Sequence, residues 1–188
     1  MFSKEVESYL KSVEKLVLSP YKKGNDRWTI GYGNTFYENG SPVKATDKPI
    51  TKERAEQLFS RISGNFYREV KQLVTSSVNS YQISALTCFA YNVGIEAFKK
   101  STLLKVVNKT PNDFETIEKE FDKWNKSNGS ILKGLIIRRQ KEFLFYKKKT
   151  NIVKKIFDWI KEHKKIVIPS TIGAVLLIVG FFVFKKRK

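Results

Sequence analysis

The sequence holds one cysteine and one histidine in 188 residues, and half as many acids, 18, as bases, 36. A single cysteine excludes an intramolecular disulfide. Cys88 sits in the apolar run from Leu86 to Ala90 and reads as a small buried residue. The single histidine, His163, lies outside the stretches that carry the motifs below, which leaves those stretches without a histidine catalyst or a zinc site. No metal and no cofactor is expected. A zinc knuckle, a P-loop and an aromatic-basic RNA motif are all missing, so nucleic acid is not the expected partner. The net charge of +18 then points to anionic lipid or an acidic polymer. The opening residues, MFSKEVESYL, lack the apolar core of a signal peptide, so no N-terminal leader or anchor is expected.

What is present begins with the stretch from Glu14 to Thr35, EKLVLSPYKKGNDRWTIGYGNT. Val6, Leu10, Val13, Leu16 and Val17 recur at spacings of three and four. They predict an amphipathic helix running into this stretch and stopped at Ser19-Pro20. Glu14 falls near the end of that helix. Lys22-Lys23-Gly24-Asn25-Asp26 reads as a polar turn, with Gly and Asn able to take positive φ. Trp28 to Gly33 reads as a β-type run interrupted by glycine, a pattern that marks close approach of another backbone or a ligand. A carboxylate at a helix end beside a glycine-bearing hairpin makes a plausible catalytic corner.

Further on, Asn39-Gly40 is a hairpin signal that would extend the small sheet. Thr51 is a good N-cap for a long helix, whose apolar positions Ala55, Leu58, Phe59, Ile62, Phe66, Val70 and Leu73 carry it to about Val74. The residues from Gln82 to Val93 are apolar on nearly all sides, the mark of a buried helix, and Gly94 supplies its stop. Thr110 to Asp113 opens another helix with the stripe Phe114, Ile117, Phe121 and Trp124, and Asn128-Gly129 breaks it.

The C-terminal part changes character. Over residues 149–165 six lysines outweigh Asp158 and Glu162, a balance of +4. Ile152, Val153, Ile156, Phe157 and Ile160 share one helical face, the pattern of a basic amphipathic helix lying on an anionic membrane surface. The run from Ile166 to Phe184 has 19 residues without a charge. As a helix it would cover roughly 28 Å, close to the hydrocarbon thickness of a bilayer. Lysines precede it and the basic tail 185–188 follows it, so charge does not set its orientation.

Three blocks now resemble a known family. The first is Glu14, a tyrosine seven residues on, and W-T-I-G-Y-G-x-T; the second is F-A-Y-N-V-G followed by Phe98 and S-T-L-L; the third is G-L-x-x-R-R-x-x-E from Gly134 to Glu142. Together they are similar to the phage T4-type lysozymes (glycoside hydrolase family 24), endolysins that cut the glycan of peptidoglycan. The likeness covers about residues 3–147. It implies an α+β, mostly helical, two-lobed lysozyme-like fold with a small β-hairpin region over residues 1–148. A linker helix at 149–165, a transmembrane helix at 166–184 and a tail at 185–188 would follow.

The resemblance implies Glu14 as general acid and Thr29, fifteen residues later, as the residue that holds a water. It implies substrate contacts from Tyr32, Asn34 and Asn92, and an approach of Arg138 or Arg139 to Glu14. Two positions depart from the family pattern. The family aspartate, nine residues after the glutamate, is here Lys23, and the family histidine after Y-G is here Asn34. Asp26, three residues past Lys23, is the nearest candidate for the second carboxylate that glycoside hydrolysis usually needs. Its alternative role is that of a turn aspartate bonded to its own backbone. Lys23 reads as an electrostatic, wall-binding or solvated cation, because its amine stays charged up to a pH of about 10.

The expected function is therefore a membrane-tethered muramidase that hydrolyses the β-1,4 bond between N-acetylmuramic acid and N-acetylglucosamine, inverting by resemblance. A non-catalytic peptidoglycan-binding or structural protein on the same scaffold is one alternative. A cationic, membrane-disrupting tail carried by the domain is another. The expected partners are peptidoglycan, a bilayer through the run from Ile166 to Phe184, and anionic lipids. A virus-particle membrane is the favoured location, and the host inner membrane the alternative.

Overall fold

The computed structural model describes residues 2–149 apart from 23, 25 and 128. Met1–Lys149 forms one unit, and the second unit, Thr150–Lys188, lies outside the described residues. So do Lys23 and the expected linker helix, membrane helix and basic tail. Among the described residues no helix is long and apolar enough to cross a membrane.

Helix α1 spans Lys4–Glu14 and buries Val6 and Leu10, an i,i+4 pair, with no exposed surface. It ends three residues earlier than the apolar spacing predicts. Lys15 takes φ 58°, which reverses the chain after Glu14. Val17 then opens strand β1 (Val17–Tyr21), which pairs antiparallel with β2 (Thr29–Gly31) through Val17↔Gly31 and Tyr21↔Thr29. Pro20 therefore sits inside a strand instead of stopping a helix. A two-stranded ribbon tolerates it, because each strand has a free edge where a missing N–H breaks no bond. Asn39-Gly40 makes a turn as expected, with Gly40 at φ 80°. It closes only one isolated bridge, Phe36↔Pro42, so the sheet is not extended into a further strand pair.

Helix α2 (Lys52–Leu73) starts where Thr51 accepts from the Arg54 N–H. Its 22 residues cover about 33 Å. Near its start, Leu58 joins Ile30 and Val43 in a small core under the hairpins. Phe59 and Val70 join the larger core instead, so one helix serves both.

The larger core is built around α3 (Ser80–Val93), in which every residue from Gln82 to Ala90 is buried. Its start is fixed by a reciprocal capping box: the Asn79 side chain accepts from Gln82 N, and the Gln82 side chain accepts from Asn79 N. Its end comes at Gly94, at φ 89°. Short helices α4 (Ile95–Lys100) and α5 (Thr102–Lys109) follow, then α6 (Phe114–Asp122), capped by Asp113. A two-residue hairpin, β3 (Lys126–Ser127) with β4 (Ser130–Ile131), turns at the expected Gly129 and leads into α7 (Lys133–Lys147). Helix α3 packs against α1, α2, α4 and α7. Cys88 is fully buried on it.

The two ends of this unit meet. The Ser3 N–H donates to Ser84 Oγ at 2.9 Å, Lys148 Nζ pairs with Glu5 at 2.5 Å, and Asn79 Nδ2 donates to the Lys148 carbonyl at 3.2 Å.

Phe89 is the hub of the larger core. Its ring meets those of Phe98, Phe121 and Trp124 edge-on, at centroid distances of 6.1, 5.5 and 5.3 Å. Phe89→Ala is expected to lower the unfolding free energy by about 3–5 kcal/mol, read from the urea midpoint at unchanged slope.

Candidate active site

Helix α1 delivers Glu14 as its last residue. The C-terminal end of a helix is a poor place for a negative charge, and a cation meets it there. Arg138 of α7 reaches across and donates from Nη2 to Glu14 Oε1 at 2.7 Å. Glu14 Oε2 faces Gly33, where a Cβ would come within 2.7 Å of it. Gly33 also takes φ 76°, so both space and backbone call for glycine. One carboxylate oxygen is thus gripped by Arg138 and the other lies in the notch that glycine leaves.

Glu14 stands on the wall of a cavity of about 630 Å³ between the hairpin region and α2 and α3. Asn34, Glu38 and Glu69 line the same space, with Tyr91 and Asn92 from the last turn of α3. Asn34 is held by its backbone to Ile30 in both directions and donates from Nδ2 to the Tyr91 hydroxyl at 2.9 Å. That hydroxyl donates in turn to the Tyr32 carbonyl at 2.8 Å. Burial, then the nearby Glu14 carboxylate, push the Tyr91 hydroxyl well above the ordinary tyrosine range, so it stays a neutral donor.

Behind Glu14 lies a buried group of charges. Arg138 Nε and Arg139 Nη2 both donate to Glu142 Oε1, at 3.1 and 3.0 Å. Arg139 Nη2 also donates to Asn92 Oδ1 at 2.9 Å, and its guanidinium lies 4.8 Å from the centroid of the Phe89 ring. Burial works against the Arg138 charge, but Glu14 and Glu142 outweigh it and raise the guanidinium above its usual range. Burial also raises the Glu142 carboxyl, with the two arginines opposing.

Of the residues singled out in sequence, Glu14, Asn34, Asn92 and Arg138 converge at or directly behind the cavity. Arg138, and not Arg139, meets Glu14; Arg139 turns to Asn92. Thr29 lies on β2, and its hydroxyl donates to the Arg27 carbonyl at 3.0 Å. Asp26 is exposed in the bend between the hairpin strands, and neither Asp26 nor Thr29 lines this cavity. Tyr32 is buried to the side, donating to Glu56 at 2.5 Å, and that bond, with burial, pushes its hydroxyl up to about 12. Lys23 lies outside the described residues.

Gly33, Glu38, Tyr91 and Glu142 were not singled out as site residues. Glu142 could have been found: positions 138, 139 and 142 differ by three and four, so they share one face of α7. Glu38 could not, since its partner Arg54 is 16 residues away across an irregular loop.

That partnership carries a pH signature. Arg54 donates from both Nη atoms to Glu38, at 2.5 and 2.7 Å. These bonds hold the Glu38 carboxyl down at about 2, against its ordinary 4.5. A carboxyl depressed on folding adds stability that is fully present above its unfolded value and is lost as pH falls through the folded one. Wild type is therefore expected to lose stability between about pH 4.5 and 2 more steeply than Glu38→Gln, as measured by urea unfolding at a series of pH values.

Comparison with known proteins points to one family. The phage lysozyme family model matches residues 11–142. The endolysin of Bacillus phage B103 is 39% identical over 135 residues; the match covers 71% of this chain and 49% of that protein, so this chain spans about half the length of that relative. The structure of an endolysin from Escherichia coli O157:H7 phage FAHEc1 superposes with a TM-score of 0.69 at 28% identity, over 80% of this chain and 95% of the other. The muramidase domain of SpmX from Asticaccaulis excentricus gives a TM-score of 0.66 at 29% identity, over 79% and 99%. With the family model matching most of the described unit, and with the carboxylate, glycine and arginine arranged around one cleft, this chain belongs to the phage lysozyme family.

Proposed function

We propose that the chain is a muramidase that hydrolyses the β-1,4 bond between N-acetylmuramic acid and N-acetylglucosamine in peptidoglycan, an inverting glycosidase of glycoside hydrolase family 24. The observation that carries this reading is Glu14 on the cavity wall, with one oxygen held by Arg138 and the other toward Gly33. In its protonated form, a fixed carboxyl with one uncommitted oxygen can give a proton to a leaving glycosidic oxygen. The family match and the superposition on a protein described as a muramidase domain support the same reading.

In an inverting enzyme a second group activates water on the opposite face of the sugar. Asp26 is our candidate for that base, with Thr29 holding the water; Asp26 follows by three residues the lysine that stands where the family has an aspartate. Tyr32, Asn34 and Asn92 are assigned to substrate contact, with Asn34 and Asn92 on the cavity wall. Lys23 and Arg139 shape the field around the site, and Arg138 fixes the acid.

Glu14→Gln keeps the shape and loses the transferable proton. In the detergent-solubilised full chain it is expected to slow the clearing of a cell-wall suspension by 10²–10⁴, with the fold retained by circular dichroism. An unimpaired variant would remove Glu14 from the acid role. If Asp26 is the base, Asp26→Asn is expected to abolish clearing and Lys23→Asp to add little. If Asp26→Asn does not, and Lys23→Asp accelerates clearing, the native site works without Asp26. Wall binding without cleavage by the wild-type chain would favour a non-catalytic scaffold.

We also infer that the run from Ile166 to Phe184 tethers the protein to a membrane, with the basic segments 149–165 and 185–188 on anionic lipid. A particle membrane is the favoured location, because it would bring the domain to the wall from outside the cell. Purified virions are expected to release the protein only when detergent removes lipid. Recovery solely in host inner membrane, open to protease from the periplasm, would contradict that location.

A further inference from the structure

Glu142 is fully buried on α7, and it belongs to none of the roles above. Its Oε1 is the shared acceptor for two arginines that point to different parts of the site. Through Arg138 it connects to Glu14 at the end of α1, and through Arg139 to Asn92 in the last turn of α3. Glu14 and Asn92 both line the cavity, and each is linked to Glu142 through an arginine. The residues come from three helices, and α7 contributes its three from positions that share one face.

A guanidinium on a long flexible stem holds a ligand only as well as its other hydrogen bonds hold it. Arg138 has two such bonds from different nitrogens, Nε to Glu142 and Nη2 to Glu14. The first sets where the second points. Arg139 is placed similarly, with its Nη2 shared between Glu142 and Asn92 and its face over Phe89. Among the described residues the Nε and Nη1 atoms of Arg139 have no hydrogen-bond partner, so this buried group is not arranged for maximal satisfaction. A buried ion group is often no more stable than an apolar replacement of the same volume, so stability alone does not account for it.

We propose that Glu142 is a positioning residue for the muramidase reaction: by holding Arg138 and Arg139 together it sets the Glu14 carboxyl and Asn92 in register across the cleft. This rests on Glu14 being the acid. Misplacing a catalytic group by about 1 Å can slow a reaction a hundredfold, so a distant buried carboxylate that governs its direction has a measurable kinetic effect.

The test is a double-mutant cycle on kcat, using the full chain in detergent and a soluble fragment of the glycan strand. Glu142→Gln keeps the size and one acceptor oxygen but loses the charge that orients both arginines. It is expected to lower kcat roughly ten- to hundredfold. Arg138→Gln is expected to lower kcat similarly, and Arg139→Gln to act mainly on KM through Asn92. If Glu142 acts through Arg138, the Glu142→Gln/Arg138→Gln double variant is no slower than Arg138→Gln alone. A merely structural role would multiply the two losses or reduce only the folded fraction at unchanged kcat, and either result overturns the proposal. Should Glu142→Gln fail to fold, Glu142→Asp replaces it: the carboxylate remains but is drawn back by one methylene, and the same non-additivity with Arg138→Gln is expected. Glu14→Gln is measured alongside. If it is fully active, the acid assignment falls and the positioning proposal with it. If it is inactive while the cycle is multiplicative, only the positioning proposal falls.

Discussion

The contact between Arg138 and Glu14 joins α7 to α1 across 124 residues of sequence. Neither partner is well placed without the other. Arg138 is largely buried, and an isolated guanidinium there would be expensive; Glu14 sits at the negative end of a helix. Each relieves the other, and the geometry that does so requires α1 and α7 to pack on the same helix, α3. That helix is buried almost throughout, so its position is fixed by the apolar core and not by the site. The core sets the distance between α1 and α7, and the ion pair spans it.

Charge is distributed unevenly. The chain carries 36 bases against 18 acids, yet the described residues lining the main cavity include Glu14, Glu38 and Glu69 and no lysine or arginine. The cations that serve the site stand behind its wall: Arg138 and Arg139 point inward from α7, and Arg54 is occupied by Glu38. The basic exterior is free to attract an anionic surface over distance. The cleft itself offers carboxylates, amides and two tyrosines, groups suited to a polymer rich in hydroxyl and amide.

How much of this could be read from the chain alone depended on whether the cause was local. The long α2, the buried α3 and its stop at Gly94 follow from spacing and from one glycine, so they were legible. The end of α1 was not: it depends on Lys15 adopting positive φ, which no glycine announces, and the apolar spacing runs straight past it into β1. At the site, Glu14 and the importance of the glycine run were legible. Which of two adjacent arginines meets Glu14 was not, because that follows from the rotation of α7 about its axis, set by Phe143, Phe145 and Tyr146 in the larger core. The second carboxylate was less legible: Asp26 stands out by its place three residues past Lys23, and it lies exposed in a bend that does not line the cavity.

The meeting of the two ends of the unit joins Ser3 to the buried Ser84 hydroxyl and includes an exposed pair of Lys148 with Glu5 that adds little stability. Its importance is topological. The polypeptide enters and leaves the described unit at one place, so a short connector could join residue 149 to residue 2 and new ends could be opened in a distant surface turn such as that at Gly40. Force applied through a segment attached after Lys148 would likewise enter beside the start of α1, and the load would fall on the ends of α1 and α7 before it reached the cleft.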